Sequence, residues 1–149
     1  MNQAPVHISV VSPVYGAEGI VNELIQQLKS ALDPITADYE ILLIEDHSPD
    51  RSWEEIAAAC EQDERVVGVK LSRNFGQHHA LAAGLEMARG DFVVVCDCDL
   101  QHDPAYITQM YAAAQAGNDI VFTRTKTREH SWFKNLTAKV YYKILATLS

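Results

Sequence analysis

At 149 residues, 48% hydrophobic and 21% charged, the chain has the size and composition of one globular α/β or α+β domain with a single core. Its net charge of −8 is unevenly spread: residues 1–120 hold 6 Lys+Arg against 19 Asp+Glu, and residues 121–149 hold 6 against 1. An acidic body does not suggest nucleic-acid binding by that body, and the basic end points to an anionic partner such as a phosphate or a membrane surface.

The opening "MNQAPVHISVVSP" lacks the charged n-region and long apolar h-region of a signal peptide, and no apolar run approaches bilayer length. Strands are predicted at "HISVVS" (7–12), "YEILLIE" (39–45), "VVGVKL" (66–71), "DFVVVC" (91–96) and "DIVFTR" (119–124). Helices are predicted between them, near residues 18–32, 52–62, 77–89 and 104–116. Ser52 is expected to cap the second helix, and Asp103 with Pro104 to open the fourth. Gly90 and Gly117 stand where helix C-caps belong. Alternation of this kind implies an α/β fold, a mostly parallel sheet flanked by helices, with right-handed crossovers. Ligands of such sheets sit beyond the carboxyl ends of the strands. The segments expected there are "PVYGAE", "EDHSPD", "SRNFGQ", "DCDLQHD" and "TRTKTR".

In "VVVCDCDLQHDP" a β-branched run ends in two aspartates separated by a cysteine. If residues 96–101 stay extended, Cys96, Cys98 and Leu100 face one side, and Asp97, Asp99 and Gln101 the other. The cysteines then read as small core residues, too close in sequence to pair, in keeping with a reducing cytoplasmic setting. Zinc would need more sulfur and nitrogen donors than this pattern offers. Three oxygen-bearing side chains suit a hard cation, Mg2+ or Mn2+. A lone D-x-D is a weak motif that turns and caps also produce. With Glu45 and Asp46 closing another strand, up to four acids would crowd one rim, and a cation would relieve their repulsion. His78 and His79, adjacent on a helix, read as surface or packing residues. No G-x-G-x-x-G follows the first strand, which disfavours an NAD-dependent dehydrogenase.

Together, "VVSPVYGAE", "YEILLIEDHSPDRSWE", "LSRNFGQHHALAAGLEMARGDFVVVCDCDLQHDP" and "VFTRTKTR" resemble the family 2 glycosyltransferases with the GT-A fold. The branch most resembled is that of bacterial polyprenyl-phosphate glycosyltransferases and dolichol-phosphate mannose synthase relatives. The resemblance implies that Pro13 and Tyr15 cradle a nucleotide base and that Glu45 and Asp46 hydrogen-bond base and ribose. It implies that Asp97 and Asp99 hold the metal on a sugar-nucleotide diphosphate, with Gln101 a further ligand and Arg124 meeting phosphate. It places Arg73 and Asn74 beside the donor pocket. Many relatives read P-x-Y-N-E-E where this chain has Pro13-Val14-Tyr15-Gly16-Ala17-Glu18, so Glu18 is assigned either to the nucleotide or to a helix start.

Residues 1–130 are expected to form the nucleotide-sugar-binding core. Residues 131–149 read as an amphipathic helix, apolar at 133, 136, 140, 141, 144, 145 and 148, with Lys139 and Lys143 opposite. The spacing fits a core or dimer-contact helix as well as one lying in a membrane interface, and the resemblance implies the latter, with the chain stopping inside a longer pattern. The expected function is inverting transfer of a sugar from a UDP- or GDP-linked donor to a polyprenyl phosphate in cell-envelope glycan synthesis. The expected location is the inner face of the cytoplasmic membrane. The alternatives are a soluble family 2 transferase acting on a glycan hydroxyl and a non-catalytic nucleotide-sugar-binding module. Oligomeric state is not legible.

Overall fold

A computed structural model describes residues 6–101 and 103–123. Along the chain these form β1 (Ile8–Val14), α1 (Val21–Leu32), β2 (Tyr39–Glu45), α2 (Ser52–Gln62), β3 (Val66–Lys70), α3 (Gln77–Met87), β4 (Phe92–Val95) and α4 (Tyr106–Gln115). The strands run in the order β3-β2-β1-β4 and every pairing is parallel. β1 and β2 are buried along their whole length, which is why both read as continuous apolar runs rather than alternating ones.

Pleating divides the two central strands between two cores. Ile8, Val10, Val14, Ile41 and Leu43 join the larger core with α1, α2 and Ile107 of α4. Val11, Leu42 and Ile44 face the opposite way and meet Ala80 of α3. Helix α1 supplies Val21, Leu24, Ile25, Leu28, Ala31 and Leu32, a stripe at helical spacing, and each fully buried leucine there stabilises by about 2 kcal/mol. Helix α3 approaches its face closely because Gly84 has no side chain: a Cβ there would lie 2.4 Å from Val11 Cγ1. The helices therefore flank the sheet on both faces, as the alternation of elements predicts.

Local differences from the sequence reading have physical causes. Ser52 does not cap α2. It is fully buried inside the first turn, and Asp50 accepts its backbone N–H instead. Gly90 is not a C-cap either: α3 ends at Met87, and a Cβ at Gly90 would lie 2.5 Å from the Ser9 backbone nitrogen. Gly117, at φ +97, does take the left-handed conformation past α4, and its N–H bonds the Ala114 carbonyl. Asp103 does not cap α4: the helix begins at Tyr106 with Ala105 in the N-cap position, and Asp103 accepts the Ala105 N–H at 2.9 Å in the turn that precedes it. The fifth strand is not formed over residues 119–123. That stretch lies along the β4 edge without a ladder, leaving Ile120 and Phe122 exposed.

Candidate active site

β2 and β3 lie on one side of β1 and β4 on the other, so the winding reverses between β1 and β4. Beyond the carboxyl ends of these two strands their following segments part, which opens a crevice. An open cleft of about 370 Å³ occupies that place. Pro13, Val14 and Tyr15 line it from β1, Asp97, Cys98 and Asp99 from the β4 extension, Asp46 from β2, and Asn74, Gly76 and Gln77 from the start of α3. Segments expected after four different strands thus converge on one site.

The period-2 reading of the β4 extension holds. Phe92, Val94, Cys96, Cys98 and Leu100 are half-buried, and Val93, Val95, Asp97 and Asp99 exposed. The Cys96 N–H still bonds the Val11 carbonyl at 3.1 Å, one residue past the ladder. Burial pushes the Cys96 thiol up to about 11 and raises that of Cys98, so both stay protonated and pack on the larger core. The pattern breaks at Leu100, which takes φ +56. This left-handed residue redirects the chain, and Gln101 lines a separate cleft between α1 and the start of α4. Only its N–H stays near the site, bonded to Asp99 Oδ1 at 3.0 Å. Gln101 therefore does not share the aspartates' face.

Asp97 Oδ1 accepts a hydrogen bond from Gln77 Nε2 at 2.7 Å. Asp46 is buried, and its two oxygens accept the backbone N–H groups of Phe75 (2.7 Å) and Gly76 (2.8 Å). Glu45, also buried, turns away from the cleft. Its Oε1 accepts the Ser48 N–H, and its Oε2 has no partner among the described residues. The acidic group on the cleft is thus Asp46, Asp97 and Asp99, without Glu45.

The first loop is held from outside. The successive N–H groups of Gly16, Ala17, Glu18 and Gly19 are accepted by Ser48 Oγ (3.1 Å), Ser52 Oγ (2.9 Å), Asp50 Oδ2 (3.0 Å) and Glu55 Oε1 (2.8 Å). Gly16 (φ +66) and Gly19 (φ +83) supply the left-handed turns this needs. Glu18 reaches back to the Arg51 N–H at 3.2 Å, so it ties the two loops together instead of lining the cleft. The Ser52 hydroxyl, helped by neighbouring N–H groups, outweighs the opposing effect of burial and holds the Asp50 carboxyl below its ordinary value. Sequence reading overlooked Ser48, Asp50, Ser52 and Glu55 as a set. Their signal is a run of short polar side chains after β2 opposite a Gly-x-x-Gly loop.

Arg73 is not among the residues that line the cleft; its guanidinium lies 4.6 Å from the centre of the Phe75 ring. Asn74 lines the cleft and accepts the Gly76 N–H at 3.1 Å, a turn contact. His78 and His79 are exposed on α3. Arg124 lies outside the described residues.

The donor set at the β4 extension fits a hard divalent cation. Asp97 and Asp99 present carboxylates to one open cleft, while the intervening thiol is neutral and packs toward the core. Among the described residues no group of three His, Cys, Asp or Glu side chains forms a metal cage. Mg2+ and Mn2+ do not require one, since one or two carboxylates, water and substrate phosphates complete their shells.

These features define an α/β protein whose binding crevice carries an acidic pair on one strand extension. The solved structures it is similar to have the same fold. One is S. aureus TarS 1–349 in complex with UDP (TM-score 0.63, 20% identity, 82% of this chain and 40% of that one). Another is the mannosyltransferase PcManGT from Pyrobaculum calidifontis in complex with GDP-Man and Mn2+ (TM-score 0.64, 20% identity, 79% and 34%). The fold is that of the GT-A glycosyltransferases. The glycosyl transferase family 2 model matches residues 9–147, and the chain belongs to that family. It is 42% identical over 137 residues to the undecaprenyl-phosphate 4-deoxy-4-formamido-L-arabinose transferase of Aeromonas hydrophila subsp. hydrophila, covering 91% of this chain and 42% of that protein. It is 37% identical over 145 residues to the uncharacterized glycosyltransferase YkcC of Bacillus subtilis, covering 97% and 45%. The chain thus spans less than half the length of these curated relatives.

Proposed function

We propose that this chain is the donor-binding part of an inverting glycosyltransferase that moves a sugar from a UDP- or GDP-linked donor to a polyprenyl phosphate. The observation that carries the reading is Asp97 and Asp99 together on the wall of the crevice at the winding reversal. The name of the Aeromonas relative supports the acceptor class, and the UDP and GDP-Man complexes of the structural neighbours support the donor class.

Asp97 and Asp99 would hold a divalent ion, Mg2+ or Mn2+. When bound, that ion offsets the charge of the donor diphosphate and stabilises the departing nucleoside diphosphate as a Lewis acid. Pro13 and Tyr15 form the wall for the base, and the exposed ring of Tyr15 offers a stacking face. Asp46 keeps lone pairs free for a ribose or base donor beyond those given to the two N–H groups. In the transfer, an oxygen of the lipid phosphate forms a bond to the sugar's anomeric carbon as the bond from that carbon to the diphosphate oxygen breaks. The electron pair leaves with the nucleoside diphosphate, and the configuration inverts. A phosphate monoester has its second pKa near about 6, so this nucleophile is largely anionic at neutral pH and needs no strong general base. Arg124 is the cation assigned to phosphate. Residues 131–149 lie outside the described residues; the spacing of lysines and apolar positions in their sequence supports assigning them to the cytoplasmic membrane surface. No helix among the described residues is long and apolar enough to cross a membrane.

The test is transfer of labelled sugar from UDP- and GDP-sugars into organic-extractable lipid, with undecaprenyl phosphate and Mn2+. Asp99→Asn is expected to lose at least about 100-fold in rate at unchanged melting temperature, the loss typical of removing one electrostatic catalytic group. Transfer by Asp99→Asn at the unsubstituted rate refutes the assignment. Label entering only a glycan hydroxyl acceptor refutes the lipid phosphate.

A further inference from the structure

Hydrogen bonds and one stretch of backbone together connect Asp46 to Asp97. The connection starts at Asp46, whose buried carboxylate closes β2 and takes the Phe75 and Gly76 N–H groups, one on each oxygen. Gly76 sits at φ +91, where any side chain would be strained, although nothing lies within 4 Å of the place a Cβ would occupy. Backbone conformation, not lack of room, requires that glycine. Its carbonyl accepts the N–H groups of His79 (3.0 Å) and Ala80 (3.2 Å), which starts α3. The first residue of that helix is Gln77, and its amide reaches Asp97 Oδ1 at 2.7 Å.

We propose that Gln77 is a positioning residue that orients the Asp97 carboxylate toward a divalent cation, and that Asp46 acts on Asp97 through it by fixing the start of α3. The inference rests on the reading of Asp97 as a cation ligand. Asp97 is exposed, past the end of the β4 ladder, and a carboxylate there would otherwise sample several rotamers. One hydrogen bond to Oδ1 selects a rotamer and leaves Oδ2 and the remaining Oδ1 lone pair for the cleft. A neutral amide does this without cancelling the negative charge that attracts the cation, as a lysine or arginine would. The nearby cation, Arg73, is placed on the Phe75 ring instead. Loss of a partner that orients a ligand typically weakens metal binding about 10–100-fold, and the exposure of this pair puts the expectation at the lower end.

The opposite role is physically possible: Gln77 could cover Asp97 and compete with the ion. The two roles predict opposite signs. The test titrates Mn2+ into the full chain with UDP or GDP, following free Mn2+ by electron paramagnetic resonance. Melting temperatures are measured alongside, as is the Mn2+ dependence of transfer. Gln77→Ala, and Gln77→Met as a near-isosteric variant without a donor, should bind Mn2+ about 10-fold more weakly. They should need correspondingly more Mn2+ for half-maximal transfer, with kcat at saturating Mn2+ and melting temperature unchanged. Asp97→Asn serves as the control on the underlying reading. If it weakens Mn2+ binding while both Gln77 variants bind as the unsubstituted chain does, or more tightly, the positioning role is overturned and the ligand reading stands. If Asp97→Asn has no effect, the ligand reading fails and takes the proposal with it. A fall in kcat at saturating Mn2+, or weaker binding only alongside a lower melting temperature, also overturns positioning.

Discussion

Replacing Arg89 by methionine should unsettle the end of the sheet remote from the cleft, by an amount that depends on pH. Glu40 is only 2% exposed, yet it is a carboxylate on a central strand, near the N-terminal end of β2. Its Oε1 accepts the Ser9 hydroxyl (2.6 Å) and the Arg89 N–H (2.9 Å), and its Oε2 accepts Arg89 Nε (2.9 Å) and Nη2. Arg89→Met spares both bonds to Oε1 and removes both from Oε2. Breaking a buried pair from one side costs about 3–5 kcal/mol. The Arg89 side chain is itself 41% exposed, so water can reach part of the vacated space, which lowers the expectation to about 2–3 kcal/mol. Burial alone would raise the Glu40 carboxyl, but the Arg89 and Ser9 hydrogen bonds outweigh it and hold the group below its ordinary value. A depressed folded pKa gives stability that is fully present above the unfolded value of about 4.3 and is lost as pH falls through the folded value. The variant keeps the burial without the guanidinium, so its carboxyl titrates higher and protonation relieves it. Urea denaturation at pH 7 and at stepwise lower pH should therefore show a gap that is widest near neutrality and narrows below about pH 4. Equal stabilities at pH 7, or a gap indifferent to acid, would refute this account of Glu40.

Other substitutions test the packing and the loops. Gly84→Ala gains about 1 kcal/mol of helix propensity, but its Cβ would lie 2.4 Å from Val11 Cγ1 and 2.9 Å from Ile44 Cγ1. Overpacking of about 1–3 kcal/mol should win, and a melting temperature above that of the unsubstituted chain would show that α3 can shift freely. Ser52→Ala leaves the buried Ala17 N–H without its acceptor, a loss of about 1–3 kcal/mol in chemical denaturation. The same variant should raise the Asp50 carboxyl toward its ordinary value, as read by NMR titration. Asp46→Ala removes two charge-assisted hydrogen bonds of about 1.5–3 kcal/mol each, partly replaced by water at the exposed loop. Hydrogen exchange should quicken over residues 75–80, and unchanged protection there would mean that Asp46 does not hold α3.

Elements set by one face's periodicity were legible from the residues. The alternation of half-buried and exposed positions from Phe92 to Asp99 follows from strand pleat alone, and it puts both aspartates on one side as read. The resemblance implied a sugar-nucleotide site for the convergent segments, and the family assignment agrees with the family it named. Single backbone torsions were not legible. Nothing in "DLQHD" announces that Leu100 takes φ +56, since leucine is costly there, and that one torsion carries Gln101 off the shared face. Long-range partners were hidden for a related reason. Ser52 looks like an N-cap because its local sequence offers that role, but its hydroxyl is claimed by Ala17, 35 positions away. The run at 119–123 has strand composition, yet a strand also needs a ladder with its neighbour.

The four N–H groups of the first loop, each held by a side chain from residues 48–55, make two separated stretches of sequence one heritable part. A relative with Glu in place of Ala17 could not accept these partners unchanged, because Ala17 is buried, whereas Asn in place of Gly16 tolerates φ +66 and meets no neighbour there. Exchanging only "PVYGAE" between family members would carry a key away from its lock. Grafts that move residues 13–19 and 48–55 together should keep the cleft's shape, whereas grafts of either alone should not. Variation at these two segments is therefore expected to be inherited in pairs.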